Sequence, residues 1–434
     1  DELISEIGKL GTVRVISKTS TLSYTNTQKT IQEIAYELHV DAVMEASIIT
    51  IQYNIRLHLK LYDAFPEEKQ IWSQTFGSDM SNIFNLYSDV VKTVANEINI
   101  TLSPERKTQL STERMVNPEA YKAYLSGKFH LFNLDKENIE TAKDYFQKSI
   151  RIDSLYAPAY AGMVGVWAVL KQMDYVSADE ANPNMEDYMA RALKIDNENE
   201  DVYFYDAVKK TWTDFDWEGA ERSYKKCLEL NPNYSAAWAY YSHFLMCMKR
   251  NDEMRETMKH ALEIDPYNPL IQILAAVENM VLGEYTIAIE NMKKLQMMLP
   301  PNPLIITVLA QCYAETEQSD LAIEQFKTLF IGLGAQPLAE VLDSTYKEQG
   351  FEKGIEAIVN ILDLGTDFVT TQILMSLYAY AGNTEKFLYW MEKTYIRRNP
   401  DLPYLGVIPV IQRYKNEPRY IEIMQRMKLP LGDF

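Results

Sequence analysis

One interval in this sequence leaves few architectures open. Pro232, Pro266, Pro300 and Gly334 are evenly spaced, each just after one helical stretch and just before the next. Their period is about 34 residues. Backward, the series continues to Asn197 at nearly the same step and to Ser154 after a longer one. The stretches "CLELNPNYSAAW" (227–238) and "ALEIDPYNPLIQ" (261–272) share one grammar: a small residue, a helix ending on a carboxylate or amide, a proline, a new helix. A period of roughly 20–50 residues marks units too small to bury their own apolar face, so each must cover its neighbour.

The residues inside the frame repeat as well. In 235–268, Trp238, Tyr241, Ser242 and Leu245 take first-helix packing positions, and Met254, Met258, Ala261 and Pro266 those of a second helix and its exit. Residues 269–302 answer with Gln272, Ala275, Ala276, Asn279, Ala288, Met292, Leu295 and Pro300. Residues 303–336 answer with Ile306, Leu309, Ala310, Tyr313, Ala322, Phe326, Leu329 and Gly334. Small residues let two helices of a hairpin approach closely, and large apolar ones fill the seam to the next hairpin. Proline cannot donate to the preceding helical turn, so it ends one helix and suits the entry to another. Outside these units the pattern loosens. Residues 118–132 with 139–153 read as a first hairpin, and 158–170 with 185–196 as a second, whose linker holds "DYVSADEANPN" and accounts for the long interval. Pairs near 337–363 and 367–396 follow, and a helix near 417–427 is expected to cap the open end.

Residues 1–110 have a different texture. "TVRVIS" (12–17) has β-branched residues at alternate positions and predicts a short strand. Ile31, Ile34, Ala35 and Leu38 share a helical face that would pack on a sheet. "AVMEASIITI" (42–51) and "IRLHLKLYDA" (55–64) flank Gln52-Tyr53-Asn54, a hairpin signal, and the second arm alternates leucine or isoleucine with Arg56, His58 and Lys60. "QIWSQTFGS" (70–78) predicts another strand and 81–100 a long helix. The fold class expected is therefore a small α+β domain, a mixed sheet with helices, followed by an all-α repeat solenoid.

With 61 acidic against 43 basic groups the formal net charge is -18, a surface that repels phosphate backbones and anionic lipid. Cys227, Cys247 and Cys312 lie too far apart for CxxC chemistry and read as buried free thiols. No apolar run approaches the roughly 18–20 residues a bilayer requires. The chain opens on "DELISEIGKLGTVRVIS", already inside an amphipathic helix, which implies residues upstream of Asp1.

Catalytic and metal-binding patterns are missing from the sequence. The histidines, His39, His58, His130, His243 and His260, form no HExxH pair and adjoin no zinc-spaced cysteines. His243 falls on the inward side of its repeat, where a partly buried or groove-lining histidine is the plain reading. Glu67-Glu68 sits in a polar turn, and "TDFDWEGAERSY" (213–224) lacks calcium-loop spacing and reads as a helix–helix turn. The methionines of "HFLMCMKRNDEMRETMKH" and "ENMKKLQMMLP" suit helix seams better than a copper site. No catalytic residue, metal ligand or cofactor follows from the sequence.

On the consecutive in-phase units, residues 117–400 resemble tetratricopeptide repeat proteins. "LISEIGKLGTVRVISKTST", "IAYELHVDAVMEASI" and "IWSQTF" resemble the TolB amino-terminal or FlgO-like domain, which in bacteria often precedes such repeats through a segment similar to "VNPEAYKAYLSGK" (116–128). The tail "RRNPDLPYLGVIPVIQRYKNEPRYIEIMQRMKLP" (397–430) is similar to the end of the same assemblies. The resemblance divides the chain into a TolB-like region at 1–112, begun after that family's first strand, repeats of about eight hairpins at 113–400 and a capping segment at 401–434. It implies a non-enzymatic protein-, peptide- or small-ligand-binding module, the sensory or interaction half of a bacterial envelope regulator whose effector is a winged-helix factor, a nucleotide cyclase or a kinase. A stand-alone assembly scaffold for envelope or transport proteins is the alternative. An enzyme with an unrecognised site in the α+β region is a third. A protein partner would sit in the concave groove lined by first helices, at Ala239, His243 and Met246, then Ile273, Val277 and Met280, then Thr307, Gln311 and Glu315. The lysines and asparagines of carboxylate-clamp repeats are missing from those places. A homodimer is possible, and the charge balance argues against direct nucleic acid contact; the resemblance implies a periplasmic location tethered through an upstream segment, with cytoplasm the alternative.

Overall fold

Three strands, β1 (Ala42–Ile51), β2 (Asn54–Asp63) and β3 (Lys69–Asp79), form the sheet in that order, antiparallel at both pairings. The computed structural model describes residues 2–100, 102, 107–108, 110, 116–131, 135–173, 175–364 and 371–432. The boundary expected at 112–113 lies outside the described residues. Contacts gather the chain into two units: Asp1–Ala207 with Arg222–Ala237 and His260–Tyr267, and Val208–Glu221 with Trp238–Lys259 and Asn268–Phe434. The first unit holds a small α+β region, and the rest of both units is built of helices.

The first unit opens with helix α1 (Glu2–Gly8) and the single turn α2 (Lys18–Thr21). The alternation in β2 does what it predicts: Ile55, Leu57, Leu59 and Leu61 are buried while Arg56 and Asn54 are exposed. The hairpin closes between Ile51 and Asn54 over a two-residue loop with Gln52 at φ 55°. Helix α3 (Ile31–Leu38) begins with a capping box, Thr30 with Glu33, and stops at His39 in the left-handed conformation. Helix α4 (Ile83–Glu97) covers the sheet with Ile83, Leu86, Val90 and Val94, and the same core runs on through Tyr121, Tyr124, Ile139 and Phe146 of the first hairpin.

Two expectations about this region are corrected. The sheet is antiparallel throughout rather than mixed, and residues 12–17 form no strand in it. Their backbone is held by other partners. Val15 donates its N–H to Asn233 Oδ1 at 3.0 Å and accepts from Asn233 Nδ2 at 2.8 Å, and Ser17 N donates to Ile264 O at 2.9 Å. The alternation of Val13, Val15 and Ser17 reads as a strand, while the chain bends at 11–13 and has no regular structure over 14–17. The alternation cannot tell whether a strand or the ends of repeat helices satisfy the backbone.

Helices then follow in pairs. In the first unit α5 (Pro118–Leu131) packs on α6 (Lys136–Ile152), and α7 (Ala157–Gln172) on α8 (Ala178–Ile195). Four helices come next in order: α9 (Glu200–Lys209), α10 (Trp217–Leu230), α11 (Ser235–Cys247) and α12 (Asn251–Ile264). In the second unit α13 (Pro269–Val281) packs on α14 (Tyr285–Met298), α15 (Pro303–Glu315) on α16 (Ser319–Gly332), α17 (Gln336–Gln349) on α18 (Phe351–Asp363), and α19 (Thr371–Tyr380) on α20 (Thr384–Ile396). The expected linker insertion is instead mostly helix. Ser177 caps α8 through Glu180 N, and Pro183 lies inside that helix rather than in a loop. Regular repeats start alike: Asn268 and Asn302 cap α13 and α15, with Pro269 and Pro303 filling the first position, where no amide proton is needed. Gly334 replaces proline in the series because the chain there turns at φ 75°. In the first hairpin, Phe146 is clamped between Gly127 and Gly162, where a Cβ would lie 2.6 and 2.5 Å from the ring.

Candidate functional site

The residues singled out for the groove lie in the second unit, and the structure places most of them under cover. Ala239, His243, Met246, Ile273 and Met280 are buried, while Val277, Thr307 and Gln311 are half-buried. What lies over His243 is the chain's own C-terminal segment. After α20 the backbone forms a short 3-10 turn at Leu402–Gly406, then α21 (Pro409–Gln412) and α22 (Pro418–Arg426). Tyr404, on that turn, packs its ring against Trp212 at 5.4 Å and 18° and edge-on to His243 at 5.7 Å. Its hydroxyl lies 2.9 Å from His243 Nδ1. Trp212 precedes Met246 by one period, so the turn reaches the inward side of two successive repeats.

His243 is 1% exposed, and burial pushes its pKa down to about 4, so the ring is neutral at ordinary pH. Its Nε2 faces Leu274 O at 3.0 Å, and a carbonyl only accepts. The ring proton is therefore on Nε2, which leaves Nδ1 as an acceptor for the Tyr404 hydroxyl. Behind it, Glu278 is buried in an otherwise apolar stretch, and desolvation raises its pKa to about 8, offset in part by Ser242 and Arg255. Ser242 Oγ faces two acceptors, Met254 O at 2.8 Å and Glu278 Oε1, and its single hydroxyl proton serves between them. The 4.0 Å approach of His243 Nε2 to Glu278 Oε1 is thus between two neutral groups, not an ion pair.

Ser, His and Glu together invite a hydrolytic reading, and the hydrogen bonds refuse it. Both His243 nitrogens are engaged elsewhere, so neither can take a proton from Ser242, whose hydroxyl is bound to a carbonyl and an acid. The cluster is a satisfied polar seam that anchors a tyrosine.

The segment continues along first helices. Arg413 pairs with Glu315 of α15 at 3.0 Å, and Tyr414 donates to Ala379 O of α19 at 2.9 Å while stacking on Phe387 at 4.2 Å. Arg419 binds Glu392 and Glu385 on α20, and Trp217 Nε1 donates to Met427 O at 2.6 Å. Lys249 reaches Gly432 O.

The first unit treats its opening residues in the same way. Glu2 of α1 pairs with Lys128 of α5 at 2.8 Å, and Lys9 just beyond α1 pairs with Glu200 of α9 at 2.8 Å. Ser5 accepts from Asn231 at 3.1 Å. Sequence reasoning reached His243 and Glu315 but missed Trp212, Glu278 and Tyr404. Glu278 did leave a signal, as the single charged residue in "PLIQILAAVENMV", and the tail left another, too apolar in "DLPYLGVIPVI" for a solvated linker. The turn read in 213–224 is there: Phe215 adopts φ 59° and Asp216 caps the next helix through Gly219 N at 3.0 Å.

No family model matches the chain. It is 20% identical over 198 residues to putative adenylate cyclase 3 of Rhizobium meliloti (strain 1021), across 46% of this chain and 32% of that protein. The chain thus spans about a third of that relative's length. Among solved structures, PilF of Pseudomonas aeruginosa is 20% identical with a TM-score of 0.37, over 50% of this chain and 96% of its own. Yeast Tom70 is 13% identical with a TM-score of 0.42, over 79% and 83%. A tetratricopeptide repeat protein from Parabacteroides merdae is 12% identical with a TM-score of 0.31, over 71% and 99%. Neighbours that distant say nothing about ligand or partner.

Proposed function

We propose that this chain is a non-enzymatic binding module for a protein or peptide, and that it serves as the sensory or interaction half of a bacterial envelope regulator. The observation that carries the binding reading is Tyr404 seated between Trp212 and His243: the first-helix face already holds a short non-repeat segment of the chain by side-chain contacts. Repeats that accept such a segment from their own chain have the chemistry to accept one from another. The regulator reading draws support from the cyclase relative, because the matched part is a minority of a longer protein. In this reading residues 1–112 are the TolB-like region and 401–434 a terminal segment. Among the described residues no helix is long and apolar enough to cross a membrane, so a periplasmic position would depend on an anchor outside them.

The test compares the full-length gene product with one lacking residues 1–434, reading the output of whatever effector is encoded upstream of Asp1. Loss of the response to stimulus with basal effector turnover retained is the expected result. A gene without any effector domain moves the reading to a stand-alone scaffold, and an unchanged response ends it.

A further inference from the structure

We propose that the second unit carries a self-association surface: the edge formed by the exits of its second helices, which mates with the same edge of a second copy of this chain about a two-fold axis. The inference goes beyond the binding-module reading and uses none of the residues under the C-terminal segment.

The residue that follows each second helix carries the signal. At Asp153, Asp196, Asn231 and Asp265 it is an acid or an amide, as a solvated turn prefers. One period after Asp265 it becomes Leu299, then Leu333, then Leu364. The helix end does not ask for leucine there. Each of the three donates its backbone N–H back into the last turn, as Asp265 does to Ala261 O, and any side chain would allow that.

The neighbouring side chains point the same way. Met297 and Met298, at the end of α14, are 81% and 78% exposed, so these two methionines do not fill a seam as the buried Met292 does. At the end of α16, Ile331 is exposed and Leu333 is 53% exposed; at the end of α18, Ile361 is exposed and Leu364 is 88% exposed. Six large apolar side chains in that state present on the order of 800 Å², about what each partner contributes to a standard-size interface. The largest apolar patch on a typical monomer is roughly 300–600 Å².

Charge selects the occupant. A chain at -18 repels its own copies wherever acids face acids. Residues 295–314 and 328–339 hold no charged side chain, and Asp363, beside Leu364, is paired with Lys386 at 2.8 Å. A second copy can lie along this edge without bringing like charges together, while a basic partner would find nothing there to pair with. The three exits form a ladder with a middle rung. A two-fold axis through Ile331 and Leu333 sets the outer rungs, Met298 and Leu364, against each other across the interface.

Sedimentation velocity of the 434-residue chain over a concentration series, at low and high sodium chloride, tests this. Wild type should show a reversible monomer–dimer equilibrium, which salt tightens several-fold by screening the repulsion between copies. Leu333→Asp faces its own copy across the axis and should weaken the dimer at least tenfold. It should remain folded by circular dichroism, because Asp265 shows that the position accepts an acid. Met298→Asp should weaken the dimer from the outer rung, whereas Ile49→Lys, on the edge of the sheet, should leave it intact. A wild type that stays monomeric at every concentration and salt overturns the proposal. So does a dimer that survives both Leu333→Asp and Met298→Asp, or one that Ile49→Lys abolishes. A monomeric wild type that floats with phosphatidylcholine vesicles assigns the edge to a bilayer and equally ends the proposal. None of these variants touches Tyr404 or His243, so the binding-module reading stands or falls separately.

Discussion

Burial of two polar side chains, Glu278 and His243, sets the pH behaviour of the second unit. Glu278 has its folded pKa raised to about 8 from 4.5, so its contribution is whole below about 4.5 and is lost as pH rises through 8. His243 runs the other way. Its folded value falls to about 4 from 6.5, so the stability it contributes is present above 6.5 and is lost as pH falls toward 4. Glu278→Gln keeps an acceptor oxygen for the Ser242 hydroxyl without a titrating proton. It should stabilise the protein at pH 7 by roughly 3 kcal/mol, at about 1.4 kcal/mol for each tenfold change in proton affinity. Urea denaturation at pH 5, 7 and 8.5 checks it: the gain should shrink at pH 5, and a gain equal at all three would refute the ionisation account. Tyr404→Phe strands the His243 acceptor and should cost about 1–3 kcal/mol at pH 7, read by the same denaturation. The three cysteines are buried, and burial lifts the Cys312 thiol to about 12. Native protein should therefore leave a thiol reagent unconsumed until denaturant is added.

At the scale of elements, close approach sets the tolerances. Phe146 fills the space left by Gly127 on α5 and Gly162 on α7, so Gly162→Ala should overpack the seam by about 1–3 kcal/mol. Phe146→Leu in the same chain should recover part of that loss; thermal melts of the single and double variants decide it. The strap at residues 12–20 depends on the repeat exits. Asn233→Ala removes both bonds to Val15, and Asp265→Ala removes the Ser20 hydroxyl's partner at 2.6 Å. Hydrogen exchange should accelerate across 12–20 in either variant while β2 stays protected. Strand β1 lies at the edge of the sheet with Ile48, Ile49 and Ile51 exposed and without lysine or proline to guard it. Ile49→Lys should reduce concentration-dependent light scattering with little change in the melting temperature.

At the scale of the whole molecule, charge and connectivity speak most clearly. At -18 the chain should not retain duplex DNA in a gel shift even at low salt, and a retained complex would point to a basic patch the sequence does not announce. The helices, their period and their punctuation were legible in the sequence, because helix ends, caps and small packing residues are short-range chemistry restated in every repeat. The hairpin of β1 with β2 and the buried row of β2 were legible for the same reason, since alternation is local. What covers a surface is not local. Residues 12–17 look like a strand in sequence, yet the chain bends at 11–13 and the hydrogen bonds of Val15 go to Asn233, far along the chain. His243 and Glu315 were placed on the inward face by counting, while Tyr404 and Arg413, which meet them, lie 161 and 98 residues further on. Periodicity reports which side of a helix faces inward. Only the folded chain decides whether that side meets solvent, a partner or the protein's own end, because contacts between distant residues depend on geometry that no short window contains.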